Sequence, residues 1–328
     1  MSVIYRRILG KAGVGFLCIV LLSLACNSLD IPPLSTAVED NERGVDNEKQ
    51  GQTDPAIDVD EAIALNPQDA RAYINRGNAY FDLGDYDRAI ADYDQAIALD
   101  PQNADAYYNR GNAYFDKGDY DQAIADYDEA IALDPQDAEA YYNRGYAYDL
   151  KGDYDRAIAD YDQAISLDPQ DADAYNNRGA AYAKIVDYDL AIADYDQAIA
   201  LDPQYAEAYY NRGLAYGKTG YYDLAIADYD QAISLDPQDA EAYYNRGNAY
   251  FDKGDYDQAI ADYDQAISLD PQYARAFYNR GVAYANSGDY DQAILDFERA
   301  LELGLEPSEQ EEVEELLKEY EILEELGQ

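Results

Sequence analysis

Seven asparagines fall at the same phase of seven successive 34-residue segments: Asn75, Asn109, Asn143, Asn177, Asn211, Asn245 and Asn279. A primary amide both donates and accepts hydrogen bonds. A row of them can hold an extended peptide backbone without reading its side chains. The plainer alternative is that each amide bonds within its own segment. Beside this row stand Tyr108, Tyr142, Tyr210, Tyr244 and Tyr278, with Ile74 and Asn176 in the two remaining segments. Phe81, Phe115 and Phe251 follow one or two turns later. Such aromatics either anchor a partner or pack against a neighbouring helix, and the sequence leaves both readings open. In the fourth and fifth segments Ala183 and Gly217 take the aromatic place, followed by Lys184 and Lys218. There too Val186 replaces the turn glycine, Tyr221 replaces the turn aspartate, and Leu190 and Leu224 enter the second half of the segment. These paired departures either record duplication of one segment from the other or mark a small basic pocket in the middle of the row.

Other chemistries find little support. Carboxylate pairs such as Asp92 with Asp94 have acid–base spacing, but Asp-Tyr-Asp recurs through the segments and ends as Asp296-Phe297-Glu298. A catalytic pair should be unique, so no catalytic residue is assigned. The chain has no histidine, which removes the commonest general base and the commonest metal ligand. Its two cysteines, Cys18 and Cys26, both lie near the N-terminus, leaving the rest without a thiolate nucleophile or a cysteine zinc site. No loop has the Asp-x-Asp-x-Asp-Gly order that wraps calcium. No cofactor or metal is expected. Asp plus Glu total 68 against 23 Lys plus Arg, a net charge of −45. That charge repels a phosphate backbone and favours basic protein partners.

The elements that carry these residues follow from the 34-residue period. Residues 106–128 and 242–264 are identical, and lie four periods apart. Full segments begin at Ala70, Ala104, Ala138, Ala172, Ala206, Ala240 and Ala274. Each holds two amphipathic helices. In the second segment Tyr107, Gly111 and Tyr114 make one stripe, and Ala123, Tyr127 and Ala130 make the other. Gly118 stops the first helix, Asp119 with Gln122 is placed to cap the next, and Pro135 ends it.

This pattern resembles the tetratricopeptide repeat family. In the first repeat the matching residues are Tyr73, Gly77, Tyr80, Ala89, Tyr93, Ala96 and Pro101. The resemblance covers residues 70–307 and implies an all-α, right-handed superhelical solenoid of antiparallel helix pairs. It also implies that the first helices line a concave groove for extended or helical peptides. The asparagine row is similar to the asparagine ladder of O-linked N-acetylglucosamine transferases. One departure is systematic: where the family has leucine, this chain has Arg76, Arg110, Arg144, Arg178, Arg212, Arg246 and Arg280. The expected role is an aliphatic stem in the packing and a guanidinium on a second-helix aspartate; a basic ladder for ligand is the alternative. The lysines of the family's chaperone-tail clamp are missing. Asp105, Glu139, Asp173, Glu207 and Glu241 stand near the helix starts instead, which favours Lys- or Arg-containing peptides.

The flanks are of other kinds. Arg6, Arg7 and Lys11 precede an apolar run over residues 12–25, too short for a comfortable membrane span and suited to a signal peptide over 1–25. Leu22-Ser23-Leu24-Ala25-Cys26 resembles the lipobox of bacterial lipoproteins, in which the cysteine is lipidated. Simple cleavage and an uncleaved anchor are the other readings. Residues 26–55 read as a flexible acidic tether, 56–69 as an N-terminal half-repeat and 308–328 as a capping helix with Ser308 and Glu311 as its capping box. The expectation is an exported protein- or peptide-binding scaffold, anchored at an envelope membrane through Cys26 or secreted. A secreted spacer or weakly cation-binding acidic array is the alternative.

Overall fold

The computed structural model describes the backbone of residues 55–326 and the side chains of 59–317. The segments read as a signal peptide and, up to residue 54, as a tether lie outside the described residues, Cys26 among them. Those residues form sixteen helices and no strand. Helix α1 (Pro55–Leu65) is the half-repeat. Seven pairs follow: α2 (Ala70–Asp82) with α3 (Tyr86–Leu99), α4 (Ala104–Asp116) with α5 (Tyr120–Leu133), α6 (Ala138–Leu150) with α7 (Tyr154–Leu167), α8 (Ala172–Lys184) with α9 (Tyr188–Leu201), α10 (Ala206–Lys218) with α11 (Tyr222–Leu235), α12 (Ala240–Lys253) with α13 (Tyr256–Leu269), and α14 (Ala274–Ser287) with α15 (Tyr290–Leu303). Helix α16 (Pro307–Leu326) closes the array. None of these helices is long and apolar enough to cross a membrane.

Close approach within each pair rests on glycine. A Cβ added at Gly77 would lie 2.6 Å from the Tyr93 ring, and one at Gly247 would lie 2.7 Å from Tyr263. The ring of each second helix therefore fills the space that a side chain on the first would take, and Tyr93, Tyr127, Tyr161, Tyr195, Tyr263 and Phe297 are fully buried. Alanines close the remaining gaps. Each first helix also packs on the first helix of the next repeat, whereas successive second helices are not joined in this way. The solenoid thus curves with its first helices inward, and their exposed residues form a common concave face.

The arginines behave as the spacing predicts, with one addition. Arg178 places Nε and Nη2 on Asp194 of its own second helix at 2.8 and 2.6 Å, and Nη1 on Asp162 of the preceding repeat at 2.6 Å. All seven arginines repeat this fork, and Asp60 of α1 serves Arg76 as the first outer partner. The guanidinium lies 5.4–5.7 Å from the aromatic ring three residues earlier in every repeat. The Asp-Tyr-Asp triplets are thus a structural ladder. Their first aspartate holds its own repeat together, and their second ties it to the next.

Two capping expectations need correction. Asp119 occupies the cap of α5 but makes no side-chain capping bond, and Asp255 before α13 is the same. A lysine stands two residues before each, Lys117 and Lys253, but Lys151 stands likewise before Asp153. Asp85, Asp153, Asp187 and Asp289 do cap their helices. At α16 the helix starts at Pro307 rather than Ser308, and the Glu306 N–H donates to Glu309 at 3.2 Å, so the capping residues are shifted from Ser308 and Glu311. Val313 of α16 is fully buried against α15, with Leu316 and Leu317 packed beside it.

Candidate functional site

The concave face is built from the first helices, and the structure places the asparagine row along it. These amides are engaged with the array itself. Asn143 donates to the Tyr108 hydroxyl at 2.9 Å and to Asn112 at 3.2 Å. Asn279 donates to Tyr244 at 2.9 Å and Asn248 at 2.8 Å, and Asn245 to Tyr210 at 2.9 Å and the Glu241 carbonyl at 3.0 Å. Asn177 donates to Tyr142 at 2.8 Å. Where a tyrosine is lacking, Asn211 donates to Asn176 at 3.1 Å and Asn109 to Asn78 at 3.2 Å. Each of these bonds runs to the preceding repeat except that to the Glu241 carbonyl. The plainer reading assumed bonds within a repeat; such bonds exist, since Asn177 and Asn245 accept from Asn176 and Asn248 of their own repeats, but most run between repeats and form a register clamp along the inner face. Asn75, in the first repeat, is half-buried.

The neighbouring tyrosines pack within the array, the second of the two readings open to them. Their rings lean on the buried ring of their own second helix, with centroids 5.8–6.1 Å apart from Tyr108–Tyr127 through Tyr278–Phe297. Tyr142 is buried, whereas Tyr108, Tyr210, Tyr244 and Tyr278 keep part of their surface on the groove. Burial raises the phenols above their ordinary value, and Tyr278 is pushed up to about 12 by burial together with the Glu312 carboxylate. They are neutral hydrogen-bonding groups at any physiological pH. Tyr108 and Tyr210 also donate long bonds to Glu139 and Glu241, at 3.4 and 3.3 Å.

Lys184 and Lys218 are exposed at the ends of α8 and α10 but serve different carboxylates. Lys184 acts on Asp149 in the third repeat and Lys218 on Asp252 in the sixth. Burial raises both carboxyls, and the lysine charge pulls each back. The two lysines therefore neutralise local acids rather than forming one basic pocket. Asp149 was not singled out from the sequence. It occupies the phenylalanine column, and its Oδ1 is buried without a partner. The signal was available in that column: Phe81, Phe115, Asp149, Ala183, Gly217, Phe251, Ala285. The same column holds a larger feature. Next to Gly217 a cleft of about 430 Å³ opens along the fifth, sixth and seventh repeats, bounded by Tyr222, Phe251, Asp252 and Tyr278. Among the described residues no group of His, Cys, Asp or Glu is arranged to hold a metal ion.

Profiles described as TPR repeat match residues 77–118, 111–152, 150–186, 187–220, 218–254 and 247–288, and profiles described as tetratricopeptide repeat match 59–91 and 274–303. The chain belongs to the tetratricopeptide repeat family. YrrB, whose structure is described as a TPR protein with an unusual peptide-binding site, is 27% identical, covering 57% of this chain and 97% of its own with a TM-score of 0.51. A tetratricopeptide repeat protein from Parabacteroides merdae is 24% identical over 76% of this chain and 98% of its own, with a TM-score of 0.57. PilF of Pseudomonas aeruginosa is 21% identical over 64% of this chain and 96% of its own, with a TM-score of 0.56. The last two establish shared fold. Comparison with curated proteins returns no match.

Proposed function

We propose that this tetratricopeptide repeat protein is a non-catalytic scaffold that binds segments of other proteins on its concave face. The observation that carries the reading is the face itself: half-exposed tyrosines, acidic helix starts and an open cleft, all on one continuous surface. The peptide-binding site described for YrrB is in keeping with it. The net charge of −45 and the carboxylates of Glu207 and Glu241 favour Lys- and Arg-containing partners and disfavour nucleic acid. The acid pairs that would suit an enzyme are held in the arginine ladder.

The N-terminal sequence adds a location to this reading. The array is exported and held at an envelope membrane by a lipid on Cys26, with residues 27–55 as a spacer. Fatty-acid labelling should mark the wild type and not Cys26→Ser; label that survives the substitution rejects the anchor. For the groove, the full chain is captured from solubilised membranes with its partners, beside a variant carrying Glu207→Lys and Glu241→Lys. Partners lost from the charge-reversed array support the reading. Partners retained in full place the interaction elsewhere.

A further inference from the structure

The phenylalanine column carries its own control for what fits the cleft. In the first, second and sixth repeats the array fills this place with a ring of its own. Phe81 lies 5.4 Å from Tyr86, Phe115 lies 5.3 Å from Tyr120, and Phe251 lies 5.3 Å from Tyr256. Phe115 also stacks on Tyr146 of the next repeat at 5.4 Å and 30°. A benzyl group is therefore what the space between two successive repeats accommodates, between the first tyrosine of the second helix and the next repeat's first helix. In the fifth repeat the residue is Gly217, and a Cβ built there meets no atom within 4 Å. Tyr222, the counterpart of Tyr86, Tyr120 and Tyr256, lines the resulting cleft with Leu214, Tyr229 and Phe251. Its volume of about 430 Å³ lies within the range of side-chain and small-ligand pockets.

We infer that this cleft is an aromatic socket: it takes a phenylalanine-, tyrosine- or tryptophan-type side chain from a partner segment that carries Lys or Arg beside the ring. The inference rests on the scaffold reading above and specifies its anchor. Tyr222 supplies the ring-on-ring contact that Tyr120 makes with Phe115, while Asn248 stands where Tyr146 stacks on that ring. The mouth sets the flanking charge. Asp252 stands at the rim with Lys218, which offsets it, so it is the strongly negative chain as a whole that favours basic flanks. The ring comes from another chain. Residues 1–54 contain only Tyr5 and Phe16 as aromatics, both within the segment read as a signal.

The probe is a dye-labelled Gly-Lys-Lys-Phe-Lys-Lys-Gly peptide and its Trp, Leu and Ala versions at the central position, titrated into the full chain by fluorescence anisotropy. The Phe and Trp peptides should bind at least tenfold tighter than the Ala peptide. Gly217→Phe fills the socket as the array does elsewhere, so it should erase that preference while melting no lower than wild type. Gly217→Leu is the second occluding variant should the first fail to fold, and Gly217→Ala should keep the preference because its methyl group meets nothing. Equal binding of the Phe and Ala peptides overturns the socket, as does no binding at all or a preference that survives Gly217→Phe. The captured partner separates the two proposals. Loss with Glu207→Lys and Glu241→Lys but not with Gly217→Phe overturns the socket and keeps the groove. Indifference to both sets overturns the groove as well.

Discussion

At the residue scale the molecule is organised by arginine and asparagine, each bridging two repeats. Arg178 sits sixteen residues from both of its aspartates, one behind and one ahead. The inner partner Asp194 is 7% exposed and the outer partner Asp162 is 49% exposed. The two bonds should therefore differ in worth. Arg178→Ala strands a buried carboxylate and should cost about 3–5 kcal/mol, whereas Asp162→Ala removes an exposed partner and should cost about 1 kcal/mol or less. Urea unfolding of both variants checks the ratio; equal costs would mean that the fork works only through its inter-repeat arm. The asparagines follow the same logic. Asn177→Ala with Asn211→Ala removes two inter-repeat bonds worth roughly 0.5–1.5 kcal/mol each, so melting should fall. A drop in affinity for a partner with unchanged melting would return these amides to the ligand. The sequence showed the arginine's inner partner, since both lie in one repeat. The outer aspartate and the asparagine's tyrosine belong to the neighbouring repeat, and their pairing is set by how repeats stack, which a period alone does not reveal.

At the element scale the helix pairs were legible because glycine, tyrosine and alanine recur in register, and a 34-residue period leaves little freedom for anything but a stacked hairpin. The turns were less legible, because small electrostatic competitions decide them. Asp119 and Asp187 have the same place before a second helix, yet only Asp187 caps. A lysine two residues earlier does not decide this by itself, since Asp153 caps beside Lys151 while also holding Arg156. The fourth turn also contains the one non-glycine residue with positive φ among the described residues, Val186 at 67°. The corresponding residue in the other repeats is Gly84, Gly118, Gly152, Gly220, Gly254 or Gly288, each with φ of 75–86°. Left-handed backbone costs an L-residue roughly 1–2 kcal/mol, and a β-branched side chain finds it hardest. Val186 is exposed and gains no packing in return. Val186→Gly should raise stability by about 0.5–1 kcal/mol, after the greater chain entropy of glycine in the unfolded state is subtracted. The reciprocal Gly152→Val should lower it by a similar amount. Thermal melting of the two variants reads the pair, and a Val186→Gly variant that melts lower would show that the valine makes contacts outweighing its backbone strain.

At the scale of the whole molecule the array is under electrostatic load from two sources, and pH and salt separate them. One is the chain's net charge of −45, a long-range repulsion that salt screens within about 10 Å at 0.1 M. The other is local. Burial raises the inner aspartates Asp126, Asp160, Asp194, Asp228, Asp262 and Asp296 above their ordinary value of 3.8, and the paired guanidinium only partly reverses this. Burial raises Asp116, Asp149 and Asp252 as well. A carboxyl whose folded value is raised holds its proton more tightly in the native state. The native chain then binds more protons than the unfolded chain in the window above 3.8, and stability rises as pH falls through that window. Relief of net negative charge acts in the same direction. Asp85 and Asp153, lowered by their arginines, act the other way, but their share is lost only as pH falls below 3.8. The melting temperature should therefore climb as pH drops from 7.5 toward about 4 and turn down below that. Added NaCl at pH 7.5 should raise it too. In 1 M NaCl, where the screening length is about 3 Å, the repulsive part is largely removed, and the slope against pH that remains belongs to the buried carboxylates. A slope abolished by salt would assign the whole effect to net charge and show that the arginine forks hold their aspartates without a burial penalty. A melting temperature that falls steadily from pH 7.5 downward would mean that the guanidinium outweighs burial at every fork, reversing the direction assigned to the inner aspartates.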